Sequence, residues 1–291
     1  MSGRNGAFTF SKMVAAGNDF IVVDALTVPS AQAALSRLAR RMCDRRYGIG
    51  SDGLLVMGKR SGVDLTMRIF NPDGSEAEMC GNGIRCAALW GVQRSGRRRG
   101  TLTIDTRAGQ LTTTVDGSTV SVRLGDADAG CCGADYHVTV GELVRLSIGG
   151  RRLEIVPVNS GVPHAVIFTT KLEREPVEDL GRAIRWHRQF APAGTNVDFV
   201  QRAGRSAIRQ RTYERGVEEE TLACGTGAIA SAVASVWQVA RGARGKRHVI
   251  SVMTQSGERL TVRFRLAGDE ARDVELEGAA RVVYEGRLTD V

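Results

Sequence analysis

Two cysteines sit in matched surroundings, Met79-Cys80-Gly81-Asn82-Gly83 and Ala223-Cys224-Gly225-Thr226-Gly227, with Cys224 144 residues after Cys80 (224 minus 80). An apolar helical pattern follows each motif, so each thiol is expected at the first turn of a helix. There the exposed backbone N–H groups carry a partial charge of about +0.5, which favours thiolate over thiol. The neighbouring glycines leave backbone amides open to a ligand, and amides at a helix start bind carboxylate or phosphate. An anion held there is stabilised further as negative charge builds on it, as removal of a proton beside a carboxylate requires. Inverting a stereocentre without a cofactor also takes an acid on the face opposite the base, and a second thiol supplies it. Two like groups in one site titrate as a coupled pair, one thiolate while the other stays thiol. The pattern points to a two-base 1,1-proton transfer at the α-carbon of an amino or hydroxy acid. Neither a lysine in a pyridoxal-phosphate context nor a dinucleotide-binding glycine motif has a convincing setting, so no cofactor is expected, and no cysteine pair has zinc-ligand spacing.

The same offset of 144 recurs elsewhere, which a chance match would not do. Gly17-Asn18-Asp19-Phe20 with its apolar run falls on Gly161-Val162-Pro163-His164 with its own, and Gly50-Ser51-Asp52 falls on Gly194-Thr195-Asn196. Farther on the offset grows by four, placing Gly109 opposite Gly257. The chain therefore reads as two copies of one unit, residues 1–128 carrying Cys80 and residues 129–271 carrying Cys224, with a last strand at about 272–291 packing back onto the first copy. Related halves pack about a pseudo-twofold axis, which would set the two cysteines facing each other across a cleft.

Local patterns fit two similar pseudo-symmetric domains of α+β class, each a strand-rich sheet wrapped around a central helix, with the active site in the cleft. The central helices are expected at 84–93 and 228–240, the second apolar all round and hence buried. Strands are expected at 67–70, 101–105, 111–115, 119–124, 211–213, 248–254, 260–266 and 281–284. Residues 126–135, glycine-rich and holding Cys131 and Cys132, read as the linker.

Blander readings compete at single positions. A lone cysteine is most often a small buried hydrophobe. Matched placement reverses that for Cys80 and Cys224, whereas Cys43, Cys86, Cys131 and Cys132 have no counterpart at the offset and read as structural. His164 reads equally as a core ring or a substrate contact, and Asp52 and Asp73 as turn residues. Arg215 stands nine residues before Cys224, as Asn71 stands nine before Cys80, so the equivalent positions are polar in both halves.

With 291 residues, 42% hydrophobic and 25% charged, the chain can bury a core without disulfides or metal. Six cysteines are too sparse for a disulfide framework, so reduced thiols are expected. No apolar run approaches the roughly 18 residues of a membrane span, and the opening residues lack a secretory signal, so the chain reads as cytoplasmic with no membrane partner. The net charge of +8 is carried almost wholly by arginine, concentrated at 94–99 and 241–247. With only 5% aromatic residues, stacking platforms for single-stranded nucleic acid are scarce, and no nucleic-acid partner is expected.

The residues Phe70-Asn71-Pro72-Asp73-Gly74-Ser75-Glu76-Ala77-Glu78-Met79-Cys80-Gly81-Asn82-Gly83 and Glu214-Arg215-Gly216-Val217 through Thr221-Leu222-Ala223-Cys224-Gly225-Thr226-Gly227 resemble diaminopimelate epimerase, and the resemblance spans nearly the whole chain. The sister proline and hydroxyproline racemases usually have His where Asn82 stands, so the chain resembles the diaminopimelate branch. The resemblance implies a cofactor-independent enzyme with Cys80 and Cys224 as acid/base pair and the amides of Gly81-Asn82 and Gly225-Thr226 on the reacting carboxylate. It implies Asn18, Asn71, Asn196, Glu214 and Arg215 around the small-molecule amino-acid substrate, and a homodimer. Many members read Gly-Asn-Pro-His where this chain has Gly161-Val162-Pro163-His164, and Asn159 stands three residues before Val162 as a substitute amide. A racemase for another substrate, a non-catalytic amino-acid binder and a nucleic-acid binder are the competing readings.

Overall fold

The computed structural model describes residues 8–124, 136–239 and 245–288. The expected linker with Cys131 and Cys132, and positions 241–244 of the second arginine cluster, lie outside the described residues. The chain divides into two compact units, Met1–Val122 with Gly278–Val291, and Arg123–Glu277.

In the first unit, β1 (Phe8–Ala15) and β2 (Asn18–Asp24) form an antiparallel hairpin. Its two-residue turn, Ala16-Gly17, has positive φ at both positions (53° and 87°), the left-handed conformation that matches the twist of a tight hairpin and favours glycine. This turn delivers Asn18 at the start of β2. A crossover through α1 (Gln32–Cys43) leads to β3 (Gly53–Arg60), parallel to β2, and β4 (Val63–Phe70) returns antiparallel. The short β5 (Glu76–Ala77) pairs with the end of β4, and α2 (Gly81–Arg94) then crosses to β6 (Arg99–Thr106), parallel to β4, followed by β7 (Gly109–Asp116) and β8 (Thr119–Leu124). The helix α2 touches β1, β2, β3, β4, β6 and β7, and Ile84, Ala87, Ala88 and Val92 are wholly buried. On the other face, Leu35, Leu38, Ala39 and Met42 of α1 pack with Phe10, Ile21, Leu54 and Phe70.

The second unit repeats this order. After β9 (Val138–Val140) and β10 (Val144–Ile148), β11 (Arg151–Asn159) and β12 (Pro163–Phe168) pair antiparallel, and α3 (Val177–Arg185) crosses to the parallel β13 (Asn196–Gly204). β14 (Ala207–Glu214) returns antiparallel with β15 (Glu219–Thr221) at its end, and α4 (Gly225–Trp237) crosses to the parallel β16 (Lys246–Met253). The meander closes with β17 (Arg259–Ala267) and β18 (Glu270–Ala279). Last in the chain, β19 (Arg281–Leu288) pairs antiparallel with β1 in the first unit. The duplication seen in the cysteine motifs is thus a duplication of topology, and the α+β class with a central helix in a strand-rich unit holds.

Both central helices begin earlier than the apolar pattern predicts, at Gly81 and Gly225. Glycine weakens a helix interior, but the first turn has few intrahelical bonds to lose, so the glycines enter it. Cys80 and Cys224 consequently occupy the N-cap, both extended (φ −141° and −118°), directly on the helix ends. Also beyond the strand-dominated reading are α1 and α3. Among the described residues no helix is long and apolar enough to cross a membrane.

Gly227 through Trp237 are all buried, so packing rather than exposed-surface propensity holds α4. Truncating its wholly enclosed Ile229 to Ala is expected to lower stability by about 2–5 kcal/mol through lost transfer energy and a residual cavity. Urea unfolding monitored by circular dichroism measures it, and a shift below about 1 kcal/mol would mean that the site collapses freely.

Candidate active site

In the first unit the residues around Cys80 form one directional chain of hydrogen bonds. Arg85, buried in α2, donates Nη2 to Asn82 Oδ1 at 2.7 Å, and Asn82 Nδ2 donates to Asn18 Oδ1 at 3.0 Å. Asn18 Nδ2 in turn donates to Asp52 Oδ2 at 2.6 Å. Each amide thereby has its orientation set, oxygen toward one donor and nitrogen toward one acceptor. Asp52 is anchored by Arg45 at 2.6 Å and by the Asp19 backbone N–H at 3.0 Å. Asp19 is held by Lys12 at 2.7 Å and by Arg45 at 2.8 Å. Asp52 is therefore more than a turn residue, because it fixes Asn18. Asp73 does serve the turn, accepting from Ser75 N and Oγ, and Asn71 closes the same turn through Nδ2 to Ser75 Oγ at 2.9 Å. Cys80 is half-buried.

Burial works to raise the Asp19 carboxyl, but hydrogen bonds from Arg45 and Lys12 and with Asp52 outweigh it and hold the group well below the usual carboxylate range. A depressed carboxyl adds stability above its unfolded value and loses it as pH falls. Urea midpoints of the parent are therefore expected to drop from about pH 5, just above the unfolded carboxyl value near 3.9, and to keep dropping as pH falls toward the depressed folded value. Asp19→Asn should flatten that slope, and equal slopes would refute the linkage.

In the second unit, Cys224 is buried, and its sulfur lies 3.4 Å from both the Gly227 backbone N–H, which donates to it, and Thr226 Oγ1. Burial pushes this thiol well above its ordinary value, and the charges of Glu214 and Asp198 push the same way, against the weaker pull of Thr226 and Gly227. The helix end was expected to favour thiolate. At Cys224 desolvation prevails, because burial penalises the charged form more than a partial positive charge repays. Glu214, at the end of β14, is raised by burial as well, with Thr221 opposing.

His164 and Thr226 meet in this site. His164 Nε2 lies 3.0 Å from Thr226 Oγ1, and Nδ1 lies 2.7 Å from Asp198 Oδ2. The imidazole is therefore more than an apolar core ring. Asn196 receives the Arg215 backbone N–H on Oδ1 at 2.8 Å and donates Nδ2 to Pro163 O at 3.1 Å. Arg215 is thus positioned through its backbone, beside Glu214. The Thr226 carbonyl accepts Ser160 Oγ at 3.0 Å, which steadies the Gly225-Thr226 turn. Asn159 ends β11 with its side chain exposed, opposite Pro163.

The structure thus gathers Asn18, Asn82 and Arg85 on one connected network in the first unit, and Cys224, Thr226, His164 and Asn196 on another in the second. Sequence reasoning missed Lys12, Arg45 and Arg85 in the first network and Ser160, Asp198, Gln210 and Thr212 in the second. Asp198 left a signal, since a carboxylate in the middle of the apolar run Asn196-Val197-Asp198-Phe199-Val200 must be partnered if buried.

The Diaminopimelate epimerase family profile matches the chain twice, over residues 10–129 and 156–281. A diaminopimelate epimerase from Methanocella arvoryzae is 41% identical, with 96% of each chain covered. Another from Aquifex aeolicus is 38% identical over 97% of this chain and 98% of its own. Among solved structures, a PhzF-family phenazine biosynthesis protein from Bacillus anthracis superposes with a TM-score of 0.73 at 16% identity, covering 97% of this chain and 99% of that one. A hydroxyproline epimerase from Agrobacterium vitis gives 0.69 at 17% identity, covering 99% and 94%. These two carry the fold.

Proposed function

The chain belongs to the diaminopimelate epimerase family, a family of isomerases, and from that premise we propose that it interconverts LL- and meso-diaminopimelate without pyridoxal phosphate, Cys80 and Cys224 exchanging a proton at one α-carbon. The observation that carries this reading is that two topologically equivalent helices each begin on an N-cap cysteine ahead of a glycine-flanked first turn. In the LL-to-meso direction one sulfur, as thiolate, takes the α-proton while the other, as thiol, donates from the opposite face; the reverse reaction exchanges the roles. The desolvated Cys224 suits the thiol role in the resting enzyme.

Amides of Gly81-Asn82 and Gly225-Thr226 bind the carboxylate at the reacting centre and take up the charge that accumulates when the proton leaves. The second amino-acid head of the substrate is read by Asn18, Asn71, Asn159 and Asn196, by Arg215 on its carboxylate and by Glu214 on its ammonium. His164 serves behind Cys224. The reaction belongs to lysine and peptidoglycan-precursor synthesis in the cytoplasm, and family resemblance supports a homodimer.

Incubating the protein with LL-diaminopimelate and following meso product by chiral chromatography tests the reading; no product, with turnover of another amino acid, would transfer the site to a sister racemase. Site selectivity gives a second check. Cys43 is enclosed, and burial raises its thiol despite the Ser51 hydrogen bond. Cys80 is half-buried at a helix end. Iodoacetamide is therefore expected to label Cys80 well before Cys43, with substrate protecting Cys80, as read by peptide mass spectrometry. Labelling of Cys43 first would count against the assignment.

A further inference from the structure

We propose that the Thr226 hydroxyl is a proton conduit linking the Cys224 thiol to the buried His164–Asp198 pair, with Asp198 as the positioning residue that sets the conduit's direction. This rests on Cys224 being an acid/base group. His164 lies on β12, Asp198 on β13, Thr226 in the first turn of α4, and the three meet with Cys224 in consecutive contacts of 2.7, 3.0 and 3.4 Å.

The direction follows from which groups can only donate or only accept. Asp198 Oδ1 receives Gln210 Nε2 at 2.8 Å and Thr212 Oγ1 at 2.7 Å, leaving Oδ2 for the imidazole. An ionised carboxylate only accepts, so His164 carries its proton on Nδ1. The other ring nitrogen, Nε2, faces Asn196 Nδ2 at 3.4 Å, an amide nitrogen that only donates, so Nε2 presents its lone pair. Thr226 Oγ1 then spends its hydrogen on Nε2 and turns an oxygen lone pair toward the Cys224 S–H.

A proton can pass along this line with every bond balanced. The Cys224 S–H bond breaks as a new O–H bond forms on Thr226, while the original Thr226 O–H bond breaks and an N–H bond forms on Nε2. The products are a thiolate, an intact hydroxyl and an imidazolium beside the Asp198 carboxylate, and the reverse shift restores the thiol. Glu214 on β14 also faces Cys224, and its negative charge and that of Asp198 both oppose the thiolate, so the conduit returns the proton readily.

Packing does not call for this pair. At the offset of 144 the first unit has Phe20 for His164 and Leu54 for Asp198, both buried, and it builds the same strands with an apolar filling. Burying a carboxylate and an imidazole is costly unless they are fully partnered. The second unit further keeps glycine at 227, where a Cβ would come within 2.5 Å of Asp198 Oδ1, so the carboxylate sits directly under the first turn of α4.

Two readouts on the full chain test the proposal. The chain has four histidines, so 15N-histidine labelling resolves His164, which is expected as the Nδ1–H tautomer near pH 7. An Nε2–H tautomer would overturn the proposal without any variant. Site-resolved iodoacetamide labelling of Cys224 in Thr226→Val is expected to be about tenfold slower near pH 7, with the profile moved up by about one pH unit. Thr226→Ser should restore it, and the Cys80 profile, which reports intact folding, should stay in place. Equal Cys224 labelling in Thr226→Val and the parent would overturn the conduit. If Cys224→Ala still epimerises, the acid/base reading fails instead, whatever the tautomer.

Discussion

Cys80→Ala and Cys224→Ala are each expected to lower kcat/KM for diaminopimelate epimerisation by about 10²–10⁴-fold, the range a positioned acid or base supplies. The two losses should not multiply in the double variant, because a two-base inversion already fails when either thiol is missing. Both variants should fold, since the Cys80 side chain does not cap its helix and the contacts of the Cys224 sulfur with Gly227 N and Thr226 Oγ1 are long, both 3.4 Å. Steady-state assays in both directions, with urea unfolding as the control, measure this. A variant retaining near-parental turnover would remove that cysteine from the chemistry.

The second large effect concerns the distal head of the substrate. Arg215 is held through its backbone N–H to Asn196, and Glu214 beside it is desolvated. On the proposed assignment of Arg215 to the distal carboxylate, Arg215→Met removes that carboxylate's partner. Truncating one member of such a pair costs about 2–5 kcal/mol, or roughly 30- to 4,000-fold in kcat/KM. The loss should fall mainly on KM, and discrimination against an amino acid lacking the second head should shrink with it. An unchanged KM with unchanged discrimination would place the distal head elsewhere.

The features legible in the sequence were those that repeat or cluster locally. The glycine-flanked cysteines announced both helix starts, and the common offset announced that β1 to β7 and β11 to β17 share a topology. The amphipathic α1, with Leu35, Leu38, Ala39 and Met42 on one face, carried a readable helical period, but the surrounding strand signals masked it. The networks behind the site were illegible for a different reason. His164 meets Asp198 across 34 residues and Asn82 meets Asn18 across 64, contacts made by strand and helix packing that no local window contains. Which of the two thiols stays protonated was illegible as well, because the helix end is visible in sequence while the desolvation that raises Cys224 is a property of the folded surroundings. Asp52 shows the same limit, reading as turn chemistry until the fold brings Asn18 to it.

Epimerisation of LL-diaminopimelate in deuterium oxide, stopped within the first few per cent of conversion and analysed by mass spectrometry and NMR, tests the two-thiol reaction most directly. Removal by one sulfur and delivery by another places solvent deuterium at the inverted carbon of the meso product while the recovered LL substrate keeps its hydrogen. Meso product that retains the original hydrogen would mean that a single group carries it from face to face, contradicting the account.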